Sequence, residues 1–232
     1  MKEMERQRRS QASNVLPVLR TKAEARQYYD RISTIYDYLT GAFERRFAER
    51  ALERLSIKEG ESVLEIGFGS GYCLKRIAFS TDVTGKAHGI DISTGMLNVT
   101  RRKLIKSGLL DRVQLCCGDG SNLPYVDSAF DAAFMSYTLE LFDTDDIPRV
   151  LEEVLRVLKP KGRLGLVGMS KENGKSTMLR LYEWAHRKWP KYIDCRPIYI
   201  EQSLRDTGYE IRSREKAKLF GLPNEIVVAV KA

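Results

Sequence analysis

The chain has little of what usually staples a small or metal-dependent protein, with four cysteines and two histidines in 232 residues. Cys73, Cys116, Cys117 and Cys195 show no paired metal-ligand spacing, so no metal site and no disulfide framework is expected. Cys73, Cys116 and Cys117 read instead as small core residues. The apolar runs are too short to cross a bilayer, which excludes a transmembrane helix from expectation. Met1 to Ser10 lacks the apolar segment of a secretory leader, and a cytoplasmic location is the expectation. Internal repeats and an appended RNA-binding module are also lacking. With two histidines, bases are scarce. His88 falls inside an apolar strand, and His186 reads as a surface residue flanked by basic neighbours.

What remains is an ordinary globular composition, 43% hydrophobic and 30% charged, in a chain long enough for one sizeable core. The formal charge of +8 is modest and spread along the sequence. It is compatible with a solvated surface, an anionic membrane or nucleic acid.

The most informative stretch is Val63 to Gly71, a buried-strand pattern carrying Glu65 that runs into Gly67, Gly69 and Gly71. A helix-like segment from Tyr72 to Phe79 follows. A side chain at such glycines blocks either the tight turn or the approach of a ligand to bare backbone. A second strand, Ala87 to Ile92, brings Asp91 about twenty residues past the last glycine, where a carboxylate can accept from both ribose hydroxyls of an adenosine. A third, Val113 to Cys117, leads to Gly118-Asp119-Gly120, and Asp119 is placed for the exocyclic amine of adenine. Phe130 to Ser136 has the length of a central strand. A dinucleotide fingerprint spaces its last two glycines by two residues, whereas here the glycines alternate.

This ordered set resembles the class I, Rossmann-like S-adenosylmethionine-dependent methyltransferases, and within them the ubiquinone and menaquinone biosynthesis branch. The similarity runs over about residues 28 to 170. It includes Tyr29-Asp30-Arg31-Ile32-Ser33, Tyr36-Asp37, the glycine loop, Asp91-Ile92-Ser93, Gly118-Asp119, Leu123-Pro124 and Glu153 to Gly162. The resemblance implies S-adenosyl-L-methionine as cofactor. It also implies a three-layer α/β fold, a mostly parallel seven-stranded sheet with an antiparallel last strand, and an N-terminal helical lid. Carried over by residue, Gly67, Gly69 and Gly71 would admit the methionine moiety, with Glu65 near its ammonium or bracing the loop. Asp91 would hold the ribose, Ile92 pack on the adenine, and Asp119 with Gly120 read its edge. Ser136 would line the boundary with the substrate, and Tyr29 and Tyr36 fall on paired aromatic lid positions, useful beside a sulfonium cation.

The chain divides on this reading into a basic flexible arm (1–20), a helical lid (21–56) and a cofactor core (57–170). A substrate-side lid insertion (171–202) and a closing helix with hairpin (203–232) complete it. Apolar residues recur at helical spacing from Thr21 to Leu55, with Gly41 read as the break between two helices. Ser176 to Trp189 reads as an amphipathic helix in which Tyr182, Trp184 and Trp189 interleave with arginines and lysines. Such a helix suits peripheral contact with an anionic membrane, or a lid packed on the sheet.

After the fourth strand the quinone enzymes carry an arginine–asparagine pair, and here Ser136 to Leu141 stands in its place. Tyr137, Glu140 and His186 are the candidate catalytic or substrate-contacting side chains. The expected activity is methyl transfer by direct displacement to a small or lipid-like acceptor, a quinone precursor or phospholipid. RNA methylation and cofactor binding without catalysis stand as alternatives. Nucleic acid is disfavoured because the proline-proline-aromatic tetrad of base-amine methyltransferases is missing.

Overall fold

The computed structural model describes residues 15–36, 42–171, 177–188 and 195–232. Among the described residues the helices α1 (Lys22–Ile32) and α2 (Ala42–Leu55) come first. The alternating body follows as β1 (Ser62–Ile66), α3 (Tyr72–Ser80), β2 (Lys86–Asp91), α4 (Thr94–Lys106), β3 (Val113–Cys117) and β4 (Phe130–Ser136). Then come α5 (Ile147–Val157), β5 (Leu158–Met169), α6 (Thr177–Lys188), α7 (Ile200–Asp206), β6 (Tyr209–Leu219) and β7 (Leu222–Lys231).

The strands form one sheet in the order β3-β2-β1-β4-β5-β7-β6. β3, β2, β1, β4 and β5 pair in parallel, and β7 runs antiparallel to both β5 and β6. Val63, Leu64 and Ile66 of β1 are buried because this strand lies at the centre with helices on both faces. One face carries a core of α5 and α7 side chains such as Val150, Val154, Ile200 and Leu204. The other is covered by α2, α3 and α4 through Ala51, Leu55, Leu74, Ile77 and Met96. The result is the three-layer α/β architecture expected from the sequence. Strand order reverses between β1 and β4, and ligands in such sheets sit outside the strand ends at that point.

Local signals explain the boundaries. Ser93 caps α4 by accepting from the Met96 N–H at 3.0 Å, and Gly108 follows its end at φ 65°. Pro148 in the first turn of α5 needs no hydrogen-bond donor there. β5 starts earlier than the expected Arg163, because Leu158 already pairs with Phe130 before a register shift.

Two expectations are corrected. The arm does not extend to residue 20. Leu16 is buried, Val15 packs on the core, and the Arg196 guanidinium donates to the Leu16 carbonyl at 2.8 Å. The apolar Val15, Leu16 and Val18 tie this stretch to the body, while residues 1–14 lie outside the described residues. Nor are the three cysteines alike: Cys73 is buried, Cys116 half-buried and Cys117 exposed. β3 is the edge strand, with β2 beside it on one side only, so its end is less covered than that of a central strand. Among the described residues, no helix is long and apolar enough to cross a membrane.

Candidate active site

The turn from Ile66 to Tyr72 is built from three left-handed glycines, with φ of 74° at Gly67, 50° at Gly69 and 80° at Gly71. Their roles differ. A Cβ at Gly67 would come within 2.4 Å of Thr138, and one at Gly71 within 2.5 Å of Thr100. Those two glycines therefore serve backbone conformation and packing, and Gly71 lines neither of the hollows described next. A Cβ at Gly69 would meet only the Tyr36 ring, in ordinary contact at 3.4 Å, so this glycine is required by its left-handed backbone and not by close packing.

Two adjoining hollows open at the carboxyl ends of the central strands. The first is lined by Asp91, Ile92, Asp119, Gly120, Tyr29 and Lys22, among others. The second contains Glu65, Glu44, Arg45, Tyr72 and Cys73. Tyr36, Gly67, Gly69, Ser136 and Tyr137 line both, and so mark where they meet. The structure thus gathers Glu65, Gly67, Gly69, Asp91, Ile92, Asp119, Gly120, Ser136, Tyr29 and Tyr36 around one continuous space.

Electrostatics differ among the acids of the site. Asp91 accepts from the Gly69 N–H at 2.8 Å and the Ser93 N–H at 2.9 Å. Burial nevertheless outweighs these bonds and pushes its pKa from 3.8 up to about 6. Glu65 is buried, and one of its carboxyl oxygens, Oε2, has no hydrogen-bond partner. Burial first, and the Asp91 carboxylate second, hold the Glu65 pKa well above its usual range. An orphaned carboxyl oxygen beside a bare-backbone turn is a site waiting for a donor or a cation. Asp119 goes the other way: burial would raise it, but hydrogen bonds from Lys22 and Ser121 keep it low.

The N-terminal helix is fastened over the first hollow by polar contacts. Asp30 accepts from the Ser93 hydroxyl at 2.6 Å and from the Gly95 N–H at 2.7 Å. A Cβ at Gly95 would meet the Asp30 backbone at 2.8 Å, so the glycine permits the close approach. Lys22 reaches Asp119 at 2.7 Å, Ser121 at 2.9 Å and Asp146 at 3.4 Å. Sequence reasoning missed Lys22, Asp30, Thr100 and Thr138 as site residues. Only Asp30 had a signal, since it stands inside the Tyr29-Asp30-Arg31 run that carries the family resemblance.

Several expected contacts lie elsewhere. Glu140 is fully buried under the end of the sheet, where its carboxylate accepts from the Met169 N–H at 3.1 Å. The short 3-10 turn Leu139–Leu141 turns it inward, and burial raises its pKa from 4.5 to about 8. It lines neither hollow. His186 is buried on the inner face of α6, not on the surface, because that face packs on the sheet. The Tyr182 hydroxyl donates to the Cys195 carbonyl at 2.9 Å, and Trp184 is exposed. Neither borders the glycine turn; Trp189 lies outside the described residues. Tyr137 does border both hollows, at φ 50°, with its hydroxyl donating to Asn224 at 3.0 Å. Burial, reinforced by Glu140 and Glu44, raises its pKa, so it keeps its proton at neutral pH.

Comparison with known proteins agrees with this geometry. The methyltransferase-domain family matches residues 63–162. The demethylmenaquinone methyltransferase of Symbiobacterium thermophilum is 30% identical over 77% of this chain and 76% of its own length. That of Corynebacterium kroppenstedtii is 34% identical over 78% of each chain. Among solved structures, the [4+2]-cyclase SpnF superposes with a TM-score of 0.75 at 23% identity, covering 93% of this chain and 98% of that one. At that identity the last similarity speaks for the fold alone.

Proposed function

Since the chain belongs to the class I S-adenosylmethionine-dependent methyltransferases, we propose that it methylates a lipophilic acceptor of the quinone-precursor kind. Enzyme class and cofactor follow from the family; the acceptor and the residue roles are our reading. The observation that carries it is the junction of the two hollows. Tyr36, Gly67, Gly69, Ser136 and Tyr137 meet there, and none of them is an ionised base.

S-adenosylmethionine, when bound, supplies an electrophilic methyl group on a sulfonium. The residues present fit it. Asp91 would accept from the ribose, Asp119 and Gly120 would take the adenine edge, and the orphaned Glu65 oxygen would meet the ammonium end. Binding a cation there favours the ionised form of Glu65, so part of the binding energy is spent on releasing its proton. The Gly69 backbone and Tyr36 ring would flank the methionine portion, and the aromatic face favours positive charge. Tyr137, locked to Asn224, would orient an acceptor without taking its proton. A junction without a base suits an acceptor that brings its own electron density, such as the ring carbon of a hydroquinone ionised to its phenolate, whose displaced ring proton leaves to solvent as the ring regains aromaticity. Catalysis then rests on alignment and exclusion of water, which the docked N-terminal helix supplies.

The two demethylmenaquinone methyltransferases support this acceptor class at 30% and 34% identity. A lipophilic acceptor resides in a bilayer, so the enzyme would work in peripheral contact with a membrane. The test is transfer of labelled methyl into a cell extract split into lipid, aqueous and RNA fractions. Label in a lipid quinol supports the reading. Label confined to RNA or to water-soluble amines sinks it, and cofactor binding without label in any fraction would make the chain a non-catalytic binder.

A further inference from the structure

The helix α6 and the β6–β7 turn were formed by distant parts of the sequence, yet they build one surface. Met169, the last residue of β5, pairs with Asn224 near the start of β7. The turn at Phe220 and Gly221 therefore projects beyond the carboxyl end of β5, the same edge on which the hollows open. α6 follows β5 and meets this turn: a Cβ on Gly221 would lie 3.4 Å from the Met178 Cγ.

The inner face of α6 buries Leu179 and His186. Its outer side leaves Met178 44%, Leu181 55% and Trp184 47% exposed, and Phe220 at the turn is 69% exposed. The other large exposed hydrophobics, such as Phe79, Val83 and Val126, come from scattered loops and helices. Among the described residues, the exposed charges around the apolar centre have one sign. Arg180, Arg187 and Lys188 lie on α6, and Lys216 and Lys218 on the exposed side of β6. The single acid of α6, Glu183, turns inward to Lys171 at 2.6 Å. Glu215 points to the opposite side and pairs with Arg50 and Arg54. From Lys216 to Leu222 there is no acidic residue. Apolar tips inside a cationic rim match the layered chemistry of an anionic bilayer surface, hydrocarbon beneath negative headgroups. A soluble partner protein would need acids placed to fit, whereas a lipid surface needs only net negative charge.

We propose that this two-element surface docks on an anionic lipid bilayer. Trp184 and Phe220 enter the interface, and Arg187, Lys188, Lys216 and Lys218 meet the headgroups. Docking turns the open edge of the sheet, and the hollows with it, toward the membrane. The usefulness of that orientation rests on the lipophilic-acceptor reading; the surface itself does not.

The test is sedimentation of the full chain with vesicles of phosphatidylcholine alone or with about a third phosphatidylserine. Binding is expected to the anionic vesicles and to weaken in high salt. Each basic residue at such a surface contributes roughly fivefold, so K216E/K218E is expected to weaken binding about twentyfold or more. L181S/F220S is expected to lose vesicle binding while cofactor affinity and turnover of a short-chain, water-soluble acceptor stay unchanged. Wild-type protein that ignores anionic vesicles overturns the proposal, as does binding that survives both double variants. Polyuridylic RNA binding abolished by K216E/K218E, without vesicle binding, would assign the surface to nucleic acid instead. Vesicle binding with no methyl transfer to any lipid would leave docking intact and defeat the proposed function.

Discussion

Helices α1 and α6 are alike in sequence and opposite in fate. Both are amphipathic, both mix aromatics with basic residues, and both stand near the carboxyl edge of the sheet. α1 has no fully buried residue; Tyr29 and Ile32 pack half-buried on the core, and polar bonds tie Asp30 to Ser93 and Gly95 and Lys22 to Asp119. α6 is held by apolar burial of Leu179 and turns Trp184 outward. A helix tethered by a few charged contacts can lift and re-dock at modest cost, as a cover over a ligand must. One tethered by a buried face stays put and is free to present its other face to a partner.

The largest effect should come from attacking the apolar anchor. Leu179→Ala is expected to cost about 2–4 kcal/mol, read as a fall of several degrees in the melting temperature. Trp184→Ser, one turn along on the outer face, should stay within about 0.5 kcal/mol of wild type. Equal losses at the two positions would erase the distinction between the faces.

On α1 the polar anchor should matter for binding more than for folding. Asp30→Ala removes the acceptor for two hydrogen bonds, and cofactor affinity by calorimetry should fall roughly tenfold to thirtyfold, about 1.5–2 kcal/mol. The melting temperature should change little. Unchanged affinity together with unchanged protease resistance of residues 22–32 would show that α1 does not cover the site.

The two regions meet at Arg196, which follows α6 in sequence and donates to the Leu16 carbonyl just before α1. The carboxylates that act on it are Asp143 first and then the buried Glu140. The pKa of Glu140 is raised from 4.5 to about 8. Between those values the folded protein keeps a proton that the unfolded chain has lost, so this group lowers stability progressively as pH rises, levelling off above about 8. Glu140→Gln, which stays neutral, should gain on wild type in melting temperature from pH 5 to pH 8. A parallel offset at every pH would mean that Glu140 is ionised throughout.

The smallest effect is expected at Lys22, whose ammonium is half exposed and whose pairs are solvent-screened. It occupies the Asp119 carboxylate that an adenine amine would use. Lys22→Ala should therefore tighten cofactor binding about threefold, less than 1 kcal/mol. Weaker binding would instead place Lys22 in contact with the cofactor.

Much of this was legible beforehand. The succession of strands and helices in the alternating half, the glycine turn and the acids at two strand ends follow from local patterns, because buried apolar runs and turn glycines are written residue by residue. Glu140 and His186 were misjudged for a different reason. Their polarity suggested the site or the surface, while their burial depends on β5 and on the sheet packed against α6. The Cys117 position failed likewise, since an edge strand and a central strand of similar composition differ only in their neighbours.

The sequence by itself determined the α/β class, the family and the residue set around the glycine turn, since spacing along a strand–turn–helix unit is local geometry. Only the tertiary structure decided that Thr138 and Thr100 crowd Gly67 and Gly71 while Tyr36 faces Gly69, that Lys22 rests on Asp119, and that Phe220 joins the outer face of α6. These depend on contacts between segments tens of residues apart, up to 97 for Lys22 and Asp119, and no local periodicity encodes which side chain fills the space beside another.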